Sequence, residues 1–491
     1  MYLGIDLGTS GVKSLIIDDN QAIVAVASAA LEVQRPHDGW SEQRADDWIT
    51  ATAETLASLQ ADSPAALSAV TGIGLSGQQH GATLIDKADK PLRPCILWND
   101  TRSHVEAADL STDANCALAG SIIFPGFTAP KLKWLEQHEP ELFSQVHKVL
   151  LPKDYLRLWL TGDYVSDMSD ASGTAWMNIA KRDWSPELLA AGSMAASQMP
   201  RLVEGSEVSG TLRDELAKQY GFQSGVVVAG GAGDNAASAA GMGAVAENAA
   251  FVSIGTSGVV FASNNTFRPN PASALHTFCH AVPHTWHQMG VILSATDSLN
   301  WFASTTGMST ADLTTELSNA AGDAIRAPTS TTFLPYLSGE RTPHNDAGIR
   351  AGFSGLTHGT DRTHMTQAVL EGVSFAFRDC FEALASAGTK PERLFAVGGG
   401  TRSDYWLKTI ATTLGVPIDL AVDGDFGAGF GAARLGQLAA TGAVVEEVCT
   451  LPDIARTFEP DASLAEAFES AYQRYRSLYP ALSSVENPLA D

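Results

Sequence analysis

Short apolar runs alternate along this chain with longer segments of helical period, and two of the runs come as matched pairs. Residues 2–7 and 12–17 read as β-strands across the turn Gly8-Thr9-Ser10-Gly11; residues 251–254 and 259–262 read the same way across Gly255-Thr256-Ser257-Gly258. The letters Gly-Thr-Ser-Gly-Val are identical at 8–12 and 255–259. Glycine at both ends of the turn lets the backbone reverse tightly. Identical turns in the same strand context, half a chain apart, predict two domains of similar plan. Elsewhere, residues 71–75, 225–229 and 393–397 read as buried strands, and 46–59, 363–385 and 426–440 as helices. The class is α/β with mixed sheets. The division is expected near residues 245–248, giving domains 1–246 and 247–491 packed face to face across a cleft. Phe468, Tyr472, Tyr475 and Tyr479 recur at helical spacing, a stripe expected to pack against the body rather than to bind a ligand.

Length supports the division, because 491 residues exceed what one core holds, domains closing at roughly 100 to 200 residues. A formal charge of −24 repels nucleic acid and anionic membrane, so neither is an expected partner. An anionic substrate must then be met locally, by backbone N–H groups, a lysine or a metal. Cys95, Cys116, Cys279, Cys380 and Cys449 are an odd, scattered set without CxxC spacing, which predicts reduced thiols in a cytoplasmic protein. The N-terminus enters a strand pattern at once, without the basic start of a signal peptide, and no apolar run reaches the ~20 residues of a membrane-spanning helix.

The expected phosphate ligand directs attention to three glycine-rich turns. Asp6 ends the first strand, two residues before Gly8-Thr9-Ser10-Gly11, and Ser253 holds the equivalent place in the second copy. Such a turn offers N–H and hydroxyl donors to phosphate oxygens, where a carboxylate is unwelcome unless a divalent cation stands between. Asp6 is therefore the candidate Mg²⁺ ligand, with Lys13 adding a point charge. Gly230-Gly231-Ala232-Gly233-Asp234-Asn235 follows a strand and opens a small-residue helix; Asp234, at a strand end and helix start, is the candidate general base. The spacing Gly231-x-Gly233-x-x-Ala236 also fits a dinucleotide fingerprint, but it lies in mid-chain with no acidic residue closing a strand some twenty positions on. Gly398-Gly399-Gly400-Thr401-Arg402-Ser403 is the third turn, open enough for a flat ring or a phosphate. His276, Cys279, His280, His284 and His287 imitate a zinc set, yet Pro283 interrupts any helix and a hairpin sends Cys279 to the other face.

Together these motifs resemble the FGGY family of sugar kinases, within the fold superfamily of actin, Hsp70 and hexokinase, over nearly the whole chain. The resemblance rests on Gly4-Ile-Asp-Leu-Gly-Thr-Ser-Gly11, Trp40-Ser-Glu-Gln43, Gly77-Gln-Gln-His-Gly81, Leu97-Trp-Asn-Asp-Thr-Arg102 and Leu151-Pro-Lys-Asp-Tyr-Leu-Arg157. It continues in Gly233-Asp-Asn235, Ser253-Ile-Gly-Thr-Ser-Gly258 and Leu334-Pro-Tyr-Leu-Ser-Gly-Glu-Arg-Thr-Pro-His344. It implies two ribonuclease-H-like domains flanking a cleft, sugar mainly on the first and ATP mainly on the second, and commonly a homodimer. It further implies ATP-dependent phosphorylation of D-xylulose at its 5-hydroxyl, with Asp234 as base and Asp6 on the magnesium side. Gln79, His80, Trp98 and Asn235, with Asp234, contact the sugar in this reading. Thr9, Ser10, Gly11, Lys13, Gly255 and Thr256 hold phosphates, and Gly398, Gly399, Gly400 and Ser403 receive the adenosine. One position departs: Gln79 stands where the D-xylulose branch often has Met, exchanging an apolar side chain for two donors and an acceptor. The rivals are a kinase of another ketose, ribulose, or of a polyol or glycerol, and an actin-like ATPase without a sugar.

Overall fold

The computed structural model describes residues 1–322, 324–422 and 427–484. Its frame is one strand pattern built twice. In the first half, β1 (Tyr2–Leu7), β2 (Gly11–Ile17) and β3 (Ile23–Ala30) form an antiparallel meander. On the other side of β1 come β4 (Gly72–Gly77) and β6 (Val227–Ala229), both parallel to it, and then β5 (Val208–Thr211), antiparallel, at the edge; β7 (Ala232–Gly233) pairs parallel with the end of β4. In the second half, β8 (Ala250–Ile254) pairs antiparallel with β9 (Gly258–Asn264), which pairs antiparallel with β11 (Trp286–Ile292); β10 (His276–Cys279) adds an outer strand. Across β8 lie β12 (Leu394–Val397) and β13 (Ile418–Ala421), parallel, and then β14 (Ile454–Phe458), antiparallel. The two sheets thus share one sequence of strand directions, the similar plan that the repeated turn implied and the ribonuclease-H-like one that the family resemblance implied.

Alternation explains why the strands hold. In β1, Leu3, Ile5 and Leu7 are fully buried in a cluster with Trp48 of α1 (Ala45–Asp62), while Tyr2, Gly4 and Asp6 face the other way. That second face is covered by α8, the helix Ala428–Thr441. A Cβ on Gly74 of β4 would lie 1.7 Å from the Ala432 carbonyl oxygen, so a bare backbone is what lets the helix sit directly on the sheet. Residues 428–441, which the sequence reading placed in the second domain, therefore pack on the first sheet. The expected start of this helix, at 426, lies outside the described residues.

The second sheet is buried by long side chains. Val252, Ile254, Val260 and Ala262 pack with Leu370, Val373 and Phe377 of α6 (Arg362–Ser386). The aromatic stripe of α9 (Ala465–Ser483) packs as expected: Phe468, Tyr472 and Tyr475 are buried in this same cluster, Tyr479 lies against it, and Tyr475 meets the Tyr336 hydroxyl at 2.8 Å. Element limits shift by one to three residues from expectation, most at α1, which runs on to Asp62. Among the described residues, no helix is long and apolar enough to cross a membrane.

Candidate active site

Asp234 is the first residue of α4 (Asp234–Gly241), directly after β7. Its Oδ1 accepts from the Asn235 backbone N at 2.7 Å and from Asn235 Nδ2 at 3.0 Å, leaving Oδ2 toward a cavity. Burial and the nearby Asp6 carboxylate push its pKa up to about 6, against the hydrogen bonds from Asn235. Asp6 itself lies in β1, opposite Lys13 of β2 and beside Ser76 of β4. It is partly buried, and burial raises its pKa against the pull of Ser76 and Lys13. Asp6 Oδ1 is a buried acceptor with no hydrogen-bond partner, the condition of an oxygen that fits a cation.

The cavity in front of Asp234 has a volume of about 430 Å³ and draws its walls from both halves. Gln79, His80, Trp98 and Asn235 line it from the first; Gly255 and Thr256 of the second turn, with His276 and Arg341, line it from the other side. All the sugar-contact residues expected from the sequence are therefore brought to one space. His80 is held in a left-handed backbone conformation, φ 67°, and its carbonyl accepts from Lys131 Nζ at 2.8 Å and Thr128 Oγ1 at 3.1 Å, both on α2 (Thr128–His138). Its ring stacks 4.6 Å from Phe127, and Nδ1 donates to the Gly173 carbonyl at 2.7 Å. Burial lowers its pKa to about 3, so the ring is neutral and Nε2 is an acceptor. Gln79 spends one donor on the Ser169 carbonyl at 3.3 Å and lies over Gly233, where a Cβ would come within 2.5 Å of its amide nitrogen. Its amide thus braces the base-bearing loop besides lining the cavity, a task that shape and one donor perform.

The first glycine turn is tied to the same wall by a chain of side-chain hydrogen bonds. Trp98 Nε1 donates to Thr9 Oγ1 at 3.0 Å, Thr9 Oγ1 to Gln78 Oε1 at 3.1 Å, and Gln78 Nε2 to Gln43 Oε1 at 2.8 Å. Gln43 returns to the Thr9 carbonyl at 2.7 Å. Ser10 and Gly11 complete this turn, at the start of β2. A second cavity, of about 360 Å³, opens beside Gly399, Gly400 and Ser403, next to Gly398, and is closed by Thr296, Asn300 and Trp406. Thr296 starts α5 (Thr296–Thr306), and its hydroxyl donates to the Gly255 carbonyl at 2.8 Å, so the floor of the second cavity is fastened to the turn that lines the first. Ser403 caps α7 (Asp404–Leu414), accepting from Trp406 N.

Two features escaped the sequence reading. Lys153, in α3 (Pro152–Thr161), is fully buried with Nζ 2.6 Å from Asp154, 3.3 Å from Asp167 and 3.1 Å from Asp170. One turn on, Arg157 donates to the carbonyls of Ala229 and Gly230 and so holds the approach to Asp234. The other is Arg341 with His276: the histidines weighed as zinc ligands part company, His276 lining the cavity while His280 Nε2 donates to the Ala244 carbonyl at 3.1 Å. The motif Leu151 to Arg157 and the run Leu334 to His344 were visible signals, but neither reveals its contacts by spacing.

With this geometry in hand, comparison with known proteins is informative. The model of the FGGY family of carbohydrate kinases matches in both parts, the N-terminal domain over residues 1–241 and the C-terminal domain over 250–440. A curated xylulose kinase of Escherichia coli K12 is 46% identical over 486 residues, covering 98% of this chain and 99% of its own. A crystal structure described as a xyloylose kinase, from Brucella ovis, is 59% identical with a TM-score of 0.97 and covers 99% of this chain and 100% of its own. The xylulose kinase of Rhodospirillum rubrum, 28% identical, superposes with a TM-score of 0.91 over 98% of this chain and 99% of its own. Both halves of the chain are thus matched, and this chain belongs to the FGGY family of carbohydrate kinases.

Proposed function

We propose that the protein transfers the γ-phosphoryl group of ATP to the 5-hydroxyl of D-xylulose, forming D-xylulose 5-phosphate, with Asp234 as general base. The observation that carries this reading is the state of Asp234: one carboxylate oxygen pinned by Asn235, the other facing a cavity shared by polar side chains and a phosphate turn. With a pKa of about 6, the carboxylate is largely ionised at neutral pH and stronger as a base than an ordinary aspartate. It accepts the hydroxyl proton as the oxygen attacks phosphorus. His80 Nε2, an obligate acceptor in this tautomer, takes a hydrogen bond from a sugar hydroxyl, and the exposed edge of Trp98 bounds the sugar from outside. Backbone N–H groups of the turns at Thr9 to Gly11 and Gly255 to Ser257 hold phosphate oxygens, and the adenosine occupies the cavity beside Gly398 to Ser403. The relatives described as xylulose kinases support D-xylulose as the acceptor.

Asp6 is the residue that fits Mg²⁺, since its unpartnered buried oxygen calls for a cation. When bound, the ion neutralises charge on the β and γ phosphates. Phosphoryl transfer otherwise asks the chain for alignment and exclusion of water, which a cleft closed by two domains provides. The five unbridged cysteines, all buried, support a reducing, cytoplasmic setting. The test is ADP release coupled to a sugar panel, with and without Mg²⁺: D-xylulose is expected to give the highest kcat/KM, and ribulose or glycerol outperforming it would overturn the assignment.

A further inference from the structure

Arg341 reaches the sugar cavity from the second half, on a rigidly anchored loop. Thr342 N donates to the Val291 carbonyl at 3.0 Å, and Glu340 Oε1 accepts from Leu293 N at 3.0 Å and from Arg341 N at 2.8 Å. The guanidinium lies 4.7 Å from the Phe124 ring centre, with Nη1 3.4 Å from His276 Nε2. His276 in turn faces Ser121 Oγ at 3.0 Å through Nδ1. Glu340 is pushed up to about 8 by burial, so it is mostly protonated at neutral pH and leaves the positive charge of its neighbour uncancelled.

Register locates this cation along the cavity. His276 pairs with Met289, and Met289 with Phe261, three pairs beyond Gly258 and Ile292, where the second phosphate turn closes. At about 3.3 Å per residue the backbone of His276, toward which the guanidinium turns, is roughly 10 Å along the strands from that turn. Asp234 is acted on by the Asp6 carboxylate and by hydrogen bonds from Asn235, whereas the charge of Arg341 acts on His80. Within the shared cavity the cation is thus grouped with His276 and His80. The cation end offers a fork of N–H donors with no acceptor, next to a neutral imidazole that accepts.

We infer that Arg341 is a specificity residue which receives the carbonyl end of the ketose while the opposite hydroxyl meets Asp234. A carbonyl oxygen takes two donors and carries no proton. A hydroxyl oxygen in its place also accepts, but its own proton must turn away from the guanidinium, which has nothing to accept it. Arg341 therefore separates a ketose from the polyol of the same chain length, a distinction that the acceptor end of the cavity does not make. This rests on the reading of the protein as a D-xylulose kinase.

The experiment compares kcat/KM for D-xylulose with that for xylitol and D-arabinitol, which differ from it only in bearing a hydroxyl for the carbonyl. Wild type, Arg341→Met and Arg341→Lys are measured at saturating Mg-ATP. In Arg341→Met the ketose value is expected to fall about tenfold to a hundredfold while the polyol values stay within about threefold, collapsing the ratio. Arg341→Lys keeps a point charge but loses the fork, so an intermediate ratio is expected; it carries the test alone should the Met variant not fold. A ketose-to-polyol ratio unchanged in folded variants, or a raised KM for ATP with the sugar ratio intact, overturns the inference. A wild-type enzyme that does not favour the ketose is recognised before any variant is made, and it removes the substrate reading as well as this one.

Discussion

The two sheets share strand order and turn sequence, yet they differ where it matters at equivalent register positions. In the first, Gly4 pairs with Gly74 and Asp6 with Ser76; in the second, Phe251 pairs with Phe395 and Ser253 with Val397. The glycine pair admits the backbone of α8, whereas the phenylalanine pair joins an apolar cluster with Phe261, Phe278 and Phe127 beside the cleft. Two residues on, the first sheet carries a carboxylate fit for a cation and the second a serine. Under the proposed function the duplicated frame supplies two phosphate-binding turns, and single substitutions on it decide which would hold a metal and which would carry only donors. Function here is grafted onto a repeated scaffold rather than repeated with it.

The largest expected effect breaks the symmetry at its joint, Asp234, which stands on the first half and faces the second turn. Asp234→Asn keeps shape and hydrogen bonds but loses the basic oxygen. Its kcat at saturating D-xylulose and Mg-ATP should fall about a hundredfold to ten-thousandfold, with sugar binding by calorimetry largely kept. A folded variant within about threefold of wild type would show that Asp234 is only the head of a helix.

Next comes the direct comparison of the two turns. Asp6→Ala should lower Mg²⁺-dependent turnover by about tenfold to a hundredfold, while Ser253→Ala stays within about threefold, as read by kcat across a Mg²⁺ titration. Equal losses from the two changes would mean that the halves are functionally alike after all.

A third experiment concerns the covering of the sheets. Gly74→Ala drives a methyl into the Ala432 carbonyl, so α8 must lift, and an overpacking cost of about 1 to 3 kcal/mol is expected in denaturant melts. Phe395→Leu, at the equivalent place on the second sheet, removes ring volume without moving a backbone and is expected to cost no more than the lower half of that range. A Gly74→Ala variant as stable as wild type would remove the glycine argument.

The smallest effect is in pH. The folded pKa of Asp234 is raised, to about 6, above the unfolded value near 4. Activity that needs the carboxylate should drop as pH falls through about 6, by tenfold for each unit below. The stability sign runs the other way, because a raised carboxyl pKa makes the ionised group costly in the folded state. That cost is absent below about pH 4, grows between 4 and 6, and is full above. Asp234→Asn should therefore melt above wild type at pH 7.5, the gap closing toward pH 4; a variant that melts lower at pH 7.5 contradicts the raised pKa.

Both hairpins, the strand before Asp234 and the aromatic stripe of α9 were legible in the sequence, because each is written in neighbouring residues whose periodicity or turn chemistry acts over a few positions. Asp6 and Asp234 could be singled out for the same reason, a carboxylate beside a glycine turn being a local oddity. What only the tertiary structure decided lies in contacts between distant segments. Residues 426–440 read as a helix, but nothing within them says that Gly4 and Gly74 make a seat for α8 on the first sheet. Gln79 reads as a sugar-binding amide, yet its bracing of Gly233 through Ser169 depends on segments some ninety and a hundred and fifty residues away. Arg341 meets His276 and Phe124 across 65 and more positions. Periodicity assigns a side chain to a face of its own element; which group waits on the facing element is settled only when the elements pack, since burial and hydrogen-bond satisfaction are properties of the assembled interior.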